Sequence, residues 1–178
     1  MRKILVVGPG GAGKSVLARR LGERLGIEVV HLDKFYWRPG WVETPKDVWL
    51  RTVEGLAGRD AWIMDGNYSG TLGVRFAACD AVVFLDMPRS LCLRRMLKRI
   101  LMYRKADRPD MAEGCRERFS LEFARWIWSY PRRSRPKVVR ILESDPRKKI
   151  IRLRSPEEVE KFLDAQRRPD GSPAPDAG

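Results

Sequence analysis

A glycine-rich stretch near the start of the chain, Gly8-Pro9-Gly10-Gly11-Ala12-Gly13-Lys14-Ser15, has the residue types and the spacing of a phosphate-binding loop. Glycines accept positive φ and carry no Cβ, so such a loop can wrap its backbone amides around phosphate oxygens at the positive end of the following helix. Lys14 can then reach the β and γ phosphates of a nucleoside triphosphate, and the hydroxyl of Ser15 can bind the accompanying Mg²⁺. The residues predicted to bind the triphosphate are Gly8, Gly10, Gly11, Ala12, Gly13, Lys14, Ser15 and Val16.

Two carboxylates, Asp33 and Asp65, follow short apolar runs and add to this chemistry. Phosphoryl transfer depends on positioning, a metal and well-placed positive charge more than on covalent help from the protein. Asp65 is predicted to hold Mg²⁺, directly or through water, with a cap of the next turn as its alternative role. Asp33 is predicted to orient or deprotonate an acceptor hydroxyl, with a place beside the metal as its alternative role.

Four further polar residues bear on the same chemistry. Arg104 and Arg108 lie in a predicted loop between two helices, where a closing lid would carry its phosphate clamps, and both are predicted to be catalytic. Asp86 also follows a predicted strand, but we interpret it as the N-cap of the helix that comes after it. His31 is the one histidine of the chain, which leaves no histidine-based triad, and we interpret it as a packed or hydrogen-bonded residue.

These side chains need elements that bring them to one edge of a sheet. Strands are predicted at 4–7, 28–32, 61–64, 81–86 and 149–153, and helices at about 16–25, 45–56, 89–103, 116–130, from about 135, and 156–165. Such an alternation of strands and helices predicts an α/β fold with a parallel sheet covered on both faces. The active site then lies at the carboxyl ends of the strands, and the aromatic residues of 35–41 are predicted to pack over its mouth or to form part of an acceptor pocket.

The composition favours a single folded domain. The chain has 178 residues, of which 43% are hydrophobic and 33% charged, and no apolar run approaches the ~20 residues that cross a bilayer. Its three cysteines are widely separated and have no C-x-x-C pairing, which predicts a reducing, cytoplasmic location without disulfides. We expect one domain over 1–164 and a disordered tail, rich in Pro, Gly, Asp and Ala, over 165–178.

The charge of the chain is concentrated in one segment. The net charge is +13, and residues 89–140 alone carry sixteen basic residues against five acidic ones, a net charge of +11. Such a segment can bind the phosphates of a small nucleotide, bind the backbone of a nucleic acid, or be a solvated face. The charge pattern does not choose among the three.

Several segments together resemble the adenylate-kinase-like branch of the P-loop kinases, and within it the bacterial DNA topology modulation proteins. The matching segments are Gly8 to Ser15, His31 to Lys34, Trp37 to Trp41, Asp65 to Thr71, Arg108 to Met111, and Trp126 with Pro131 to Pro136. The resemblance implies a three-layer fold with strand order 2-3-1-4-5, ATP·Mg²⁺ as phosphate donor and an acceptor region after the second strand. It also implies an arginine-rich helical lid, about 89–140, between the fourth and fifth strands.

The same resemblance leaves two kinds of acceptor open. Asp65-Gly66 stands where nucleoside-monophosphate kinases have Asp-Gly-Phe-Pro-Arg, but Asn67-Tyr68 replaces Phe-Pro, and Arg75 is the candidate to replace the arginine. Asp33 is similar to the acidic residue with which kinases of small hydroxyl compounds, such as shikimate or gluconate, position their acceptor. Both phosphate and hydroxyl acceptors are therefore compatible with the sequence.

Two functional hypotheses from different classes follow. The first is an ATP-dependent kinase of a small acceptor, with a nucleotide or nucleoside-like acceptor favoured because aromatic residues cluster beside the acceptor edge. The second is a nucleotide-regulated protein that binds DNA through its basic segment and affects DNA topology. A GTPase is a weaker third hypothesis, because the chain has no Asn-Lys-x-Asp guanine-binding motif. Neither main hypothesis distinguishes a monomer from a homodimer.

Overall fold

The five predicted strands form one parallel sheet in the computed structural model of the chain, which describes residues 1–103, 109–115 and 118–166. The strands, in chain order, are β1 (Lys3–Val7), β2 (Val29–His31), β3 (Trp37–Arg38), β4 (Val42–Glu43), β5 (Trp62–Asp65), β6 (Ala81–Leu85) and β7 (Lys149–Leu153). The sheet order is β2-β5-β1-β6-β7, while β3 and β4 form a separate antiparallel hairpin. Counting the five sheet strands alone, this is the predicted order 2-3-1-4-5.

Helices fill most of the connections between these strands. They are α1 (Lys14–Leu25), α2 (Leu32–Tyr36), α3 (Lys46–Ala57), α4 (Leu72–Ala78), α5 (Arg89–Met102), α6 (Leu121–Arg133), α7 (Arg135–Leu142) and α8 (Pro156–Asp164). The prediction that a helix begins near Arg116 is wrong, since α6 begins at Leu121. The cause is Ser120, whose side-chain oxygen accepts a hydrogen bond from the amide of Phe123 and caps the helix there. No helix within the described ranges is long and apolar enough to span a membrane.

The two faces of the sheet are covered by different helices, because alternate residues of a strand point to opposite faces. In β1, Leu5 and Val7 join a buried cluster with side chains of α3, α4 and α7. Ile4 and Val6 join a second buried cluster with side chains of α1, α5, α6 and α8. This confirms the predicted α/β fold with a central parallel sheet and helices on both faces.

The register of the parallel strands brings the candidate residues to one edge. Asp65, the last residue of β5, lies beside Val6 of β1 on one side and beside His31 of β2 on the other. The phosphate loop starts two residues after Val6, and Asp33 lies in the first turn of α2 directly after β2. The carboxyl ends of β1, β2 and β5 therefore carry the loop and both predicted acids.

The segment between β6 and β7 contains α5, α6 and α7 and coincides with the predicted lid. Its arginine residues Arg104 and Arg108, both predicted to be catalytic, lie outside the described residues, as do residues 167–178 of the predicted disordered tail. The lid and the single domain over 1–164 remain predictions.

The N-cap interpretation of Asp86 is wrong. Pro88 occupies the N-cap position of α5, no side chain caps the helix there, and the carboxylate of Asp86 instead binds two arginines. Arg135 of α7 donates to it at 2.9 and 3.2 Å, and Arg152 of β7 donates at 2.8 Å and through a second, shorter hydrogen bond. Asp86 thus connects the end of β6 to α7 and to the edge strand.

Replacing Asp86 with Asn should lower the free energy of unfolding by about 2 kcal/mol. Breaking a fully buried ion pair costs roughly 3–5 kcal/mol, and the side chain of Asp86 is 14% exposed while both arginines are 33% exposed, so the loss is smaller. Asp47→Asn is the matched control, because Asp47 pairs with Arg51 on the surface of α3, where an ion pair contributes about 0–1 kcal/mol. Urea unfolding of both variants measures the difference, and equal losses would contradict this prediction.

Candidate active site

Glycines of the predicted phosphate loop have positive φ. Gly11 and Gly13 have φ of 75° and 97°, and Gly13 caps α1 in the left-handed conformation with no side-chain hydrogen bond to the helix. The first amides of a helix have no intrahelical acceptor, so the start of α1 offers them to an anion at its positive end. Val16, the last residue predicted to contact the triphosphate, is half exposed in the first turn of α1.

Lys14 is held against the loop by hydrogen bonds. Its Nζ donates hydrogen bonds to the carbonyl oxygens of Gly8 and Pro9, each at 3.0 Å. The pKa of Lys14 is lowered from its usual value because the side chain is buried. The negative charges of Asp33 and Asp65 offset part of this shift. The ammonium group therefore lies within the electrostatic field of both predicted acids.

The outer side of the loop is supported by the helices of the 89–142 segment. A Cβ added to Gly11 would collide with the carbonyl of Cys92 in α5, and one added to Gly10 would collide with the ring of Phe123 in α6. Arg95 of α5 also donates a hydrogen bond to the carbonyl oxygen of Ala12 at 2.9 Å. Packing against α5 and α6 therefore requires glycine at these two positions, which the motif alone did not predict.

Asp65 is the more enclosed of the two predicted acids. Its residue is 5% exposed, and its Oδ1 lies 2.8 Å from Nδ1 of His31, which agrees with the hydrogen-bonded interpretation of that histidine. In the described part of the chain no group of three or more His, Cys, Asp or Glu side chains could hold a metal by itself. Mg²⁺ is usually bound through one or two protein ligands together with substrate phosphates, and Ser15 with Asp65 would suit that arrangement.

Asp33 is hydrogen-bonded by Tyr68, a residue to which the sequence motifs assign no role. The hydroxyl of Tyr68 donates a hydrogen bond of 2.5 Å to Oδ1 of Asp33. Burial, and then the charge of Asp33, raise the pKa of Tyr68 well above its usual value, so the phenol stays protonated as the donor. Its ring packs against Tyr36 and Trp49, with ring centroids 4.5 and 4.9 Å apart.

Arg75 does not occupy the position of an acceptor clamp, which corrects the expectation drawn from the resemblance. The residue is 0% exposed and faces the protein interior. Its guanidinium donates to the carbonyl oxygens of the 66–68 segment, which comprises Gly66, Asn67 and Tyr68, at 2.8, 2.7 and 3.0 Å, and to that of Thr71 at 3.3 Å. Burial lowers the pKa of Arg75 to about 10, so the side chain remains charged near neutral pH.

An open cleft of about 640 Å³ is lined by residues that follow Asp33 in the chain and by residues of the 109–115 segment. Its walls include Lys34 and Phe35 of α2, Trp37 and Arg38 of β3, and Met111 of the 109–115 segment. We call this the hairpin cleft.

The 109–115 segment docks directly on the β3–β4 hairpin. The amide of Gly40 donates to the carbonyl oxygen of Gly114 at 3.3 Å, and the thiol of Cys115 donates to the carbonyl oxygen of Arg38 at 3.3 Å. Phe35 and Trp37, two of the aromatic residues of 35–41, line the cleft. That these residues cover the active-site mouth or form part of an acceptor pocket stays a prediction.

The same fold occurs in solved structures of kinases. A shikimate kinase from Acinetobacter baumannii in complex with shikimate matches over 92% of this chain and 92% of its own, with a TM-score of 0.57 and 21% identity. The chain has the P-loop kinase fold. A shikimate kinase from Bacteroides thetaiotaomicron matches over 90% and 93%, with a TM-score of 0.54 and 14% identity. An unliganded sugar kinase from Janibacter sp. HTCC2649 matches over 92% and 93%, with a TM-score of 0.50 and 17% identity.

These similarities concern the fold, since all three identities are below 25%. No protein-family model and no curated protein matches the sequence. The narrower resemblance to DNA topology modulation proteins therefore stays a prediction, as do the roles of Lys14, Asp33 and Asp65.

Proposed function

We propose that the chain is an ATP-dependent phosphotransferase that moves the γ-phosphate of ATP to a hydroxyl group of a small acceptor. The observation that carries the proposal is the position of Lys14, whose ammonium group lies in the phosphate loop and in the field of both Asp33 and Asp65. A donor loop and two carboxylates at adjacent strand ends are the groups that phosphoryl transfer needs. The P-loop kinase fold supports the same reading.

Each residue has a distinct role in this proposal. The loop amides and Lys14 bind the β and γ phosphates and stabilise the charge that develops on the transferring group. Asp33 accepts the proton of the acceptor hydroxyl and orients its oxygen toward the γ-phosphate. Mg²⁺, bound by Ser15 and Asp65 together with phosphate oxygens, would neutralise charge on the donor.

A small hydroxyl compound fits the site better as acceptor than a nucleotide does. This differs from the sequence-based expectation, in which the aromatic residues favoured a nucleotide or nucleoside-like acceptor. Tyr36, Trp49 and Tyr68 pack against one another with ring centroids at most 5.0 Å apart, which leaves them engaged with each other. Arg75 is buried and its guanidinium binds backbone carbonyl oxygens, so it is not presented to an acceptor phosphate. The fold neighbours with named substrate classes act on shikimate or a sugar, both of which bear hydroxyl groups.

The basic lining of the hairpin cleft predicts that the proposed acceptor carries an anionic group. Lys34 and Arg38 both line the cleft, against one acidic side chain, Glu113. If the acceptor carries a carboxylate or phosphate beside its hydroxyl, Arg38→Met should raise its KM about tenfold, the equivalent of one charged hydrogen bond, and leave the KM for ATP unchanged. Arg51→Met is the control, since Arg51 is exposed on α3 outside the cleft and pairs with Asp47.

A screen for phosphorylated product tests the proposed function. The protein with ATP·Mg²⁺ is incubated with hydroxy acids, sugars, nucleosides and nucleotides, and products are identified by mass spectrometry and ³¹P NMR. We expect product with an anionic hydroxyl compound. Transfer to a nucleoside monophosphate would contradict the acceptor class, and absence of product from every probe would contradict the phosphotransferase.

Nucleic-acid binding is the second candidate function, and exposed basic residues favour it. Arg132 and Arg133 at the end of α6 and Lys137 and Arg140 in α7 are exposed, whereas Arg135 is engaged by Asp86. Binding to a DNA duplex should weaken steeply with added salt, and the R132Q/R133Q variant should flatten that dependence. No affinity at low salt would exclude this candidate.

A further inference from the structure

The 66–68 segment contacts both the donor side and the acceptor side of the site. It follows β5 directly, and its two side chains go to different partners. The side-chain oxygen of Asn67 accepts a hydrogen bond from the amide of Gly8 at 3.0 Å, and the hydroxyl of Tyr68 donates to Asp33 at 2.5 Å. Two neighbouring residues therefore connect the first residue of the phosphate loop to the predicted acceptor acid.

The backbone of this segment is held in an unfavourable conformation. Tyr68 has a φ of 26°, which residues other than glycine rarely adopt, and Gly66 has a φ of 137°. Such a residue costs about 1–3 kcal/mol and persists only where its surroundings impose it. The buried guanidinium of Arg75 does so here, because it binds the carbonyl oxygens of all three residues.

The side chain of Tyr68 has little freedom to leave Asp33. Its ring packs in a three-ring cluster with Tyr36 and Trp49, with ring centroids 4.5 and 4.9 Å from its own. The charge of Asp33 also acts on Lys14 of the phosphate loop, whose pKa it raises. The hydroxyl of Tyr68 therefore constrains the orientation of Asp33. Ring packing and the bonds from Arg75 to the backbone hold Tyr68 itself in place.

We propose that the 66–68 segment sets the position of Asp33 relative to the phosphate loop, with Tyr68 as the positioning residue for Asp33 and Asn67 as the positioning residue for Gly8. The proposal rests on the proposed function and assigns new roles within it. It explains why the segment has Asn-Tyr: the amide oxygen reaches the donor loop and the phenol reaches the acceptor acid. Neither residue touches the reacting atoms.

The test compares Tyr68→Phe with Tyr36→Phe. Both variants keep an aromatic ring in the same cluster and remove one hydroxyl, but the hydroxyl of Tyr36 faces Glu43 rather than Asp33. The first readout needs no turnover: the side-chain carboxyl ¹³C resonance of Asp33, assigned with Asp33→Asn, is recorded in the free protein and with Mg²⁺ and a non-hydrolysable ATP analogue. We expect it to shift in Tyr68→Phe and to stay unchanged in Tyr36→Phe.

The second readout is slow transfer of the γ-phosphate of ATP to water. Tyr68→Phe should lower kcat about tenfold with less than a twofold change in the KM for ATP, because the donor loop is intact and the base is misoriented. Asn67→Leu should instead raise the KM for ATP severalfold. Tyr36→Phe should keep both constants.

The outcomes separate this proposal from the proposed function. An Asp33 resonance that is the same in Tyr68→Phe as in the parent chain, or kinetic losses that are equal in Tyr68→Phe and Tyr36→Phe, would overturn the positioning role. A parent chain that transfers phosphate to neither water nor any probe contradicts the phosphotransferase, while the NMR comparison still decides whether Tyr68 orients Asp33.

Discussion

Lys14→Met should lower phosphoryl transfer by about a thousandfold or more while the chain remains folded. Removing a single neutral donor from a site of charge stabilisation typically costs 10²–10³ in rate, and in the proposed reaction Lys14 supplies a full positive charge at the transferring phosphate. In the structure, its Nζ donates to the carbonyl oxygens of Gly8 and Pro9. Those bonds keep the side chain in the loop before ATP arrives, so the charge does not have to be positioned during the reaction.

Lys148→Met is the matched control for this variant. The Nζ of Lys148 also donates to two backbone carbonyls, those of Ala77 and Cys79, at 2.9 and 2.5 Å. Lys148 precedes β7 and so lies at the amino-terminal edge of the sheet, opposite the phosphate loop. Turnover is measured as release of ADP, and folding by circular dichroism. Similar losses of turnover in the two variants would show that Lys14 supports the fold rather than the reaction.

The parts of the structure that could be predicted from the sequence are those that local patterns determine. Strands β1 and β6 were found because their residues are apolar throughout, as strands covered on both faces must be. The phosphate loop was found because its function needs glycines, a lysine and a hydroxyl at fixed spacing within one turn. The hairpin of β3 and β4 was missed because its strands have two residues each, too few for any alternation to appear.

The contacts that the sequence left unpredicted join residues far apart in the chain. Tyr68 and Asp33 are separated by 35 residues, and Asp86 and Arg152 by 66. A carboxylate after a strand is equally compatible with a helix cap and an ion pair, and which arginine reaches it depends on the packing of α7 and β7. By contrast, the sequence did predict that Asp33, Asp65 and the phosphate loop lie at one edge, because the carboxyl ends of parallel strands share an edge of the sheet.

Arg75 shows how a residue type can mislead when its surroundings are unknown. An arginine shortly after Asp65-Gly66 is what a phosphate acceptor would require, and the charge of the side chain supports that expectation. The structure instead places its guanidinium beneath the 66–68 segment, where the five N–H groups of an arginine meet four carbonyl oxygens. Burial rather than sequence position determines its role.

Arg75→Met should therefore damage stability and activity together. The substitution keeps an apolar stem of similar length but removes the guanidinium from four carbonyl oxygens. The oxygen of Tyr68 keeps its hydrogen bond from the amide of Thr71, and each buried oxygen left unsatisfied costs about 1–3 kcal/mol. Because the loop can relax toward water, we expect a total loss of about 3–5 kcal/mol, a large part of the 5–15 kcal/mol by which domains are stable. The left-handed conformation of Tyr68 then loses the guanidinium that clamps its backbone, so the hydrogen bond from Tyr68 to Asp33 should weaken as well.

Two further variants identify the cause of that loss. Arg75→Lys keeps the positive charge but cannot bind several carbonyl oxygens at fixed angles, so it should recover little stability and little kcat. Arg59→Met removes an exposed arginine that pairs with Glu28, and it should change the free energy of unfolding by less than about 1 kcal/mol. Urea unfolding and the Asp33 carboxyl resonance are measured on each. If Arg75→Lys restored both to the parent values, charge alone would explain the role of Arg75, and the clamp on the 66–68 backbone would be unnecessary for holding Asp33.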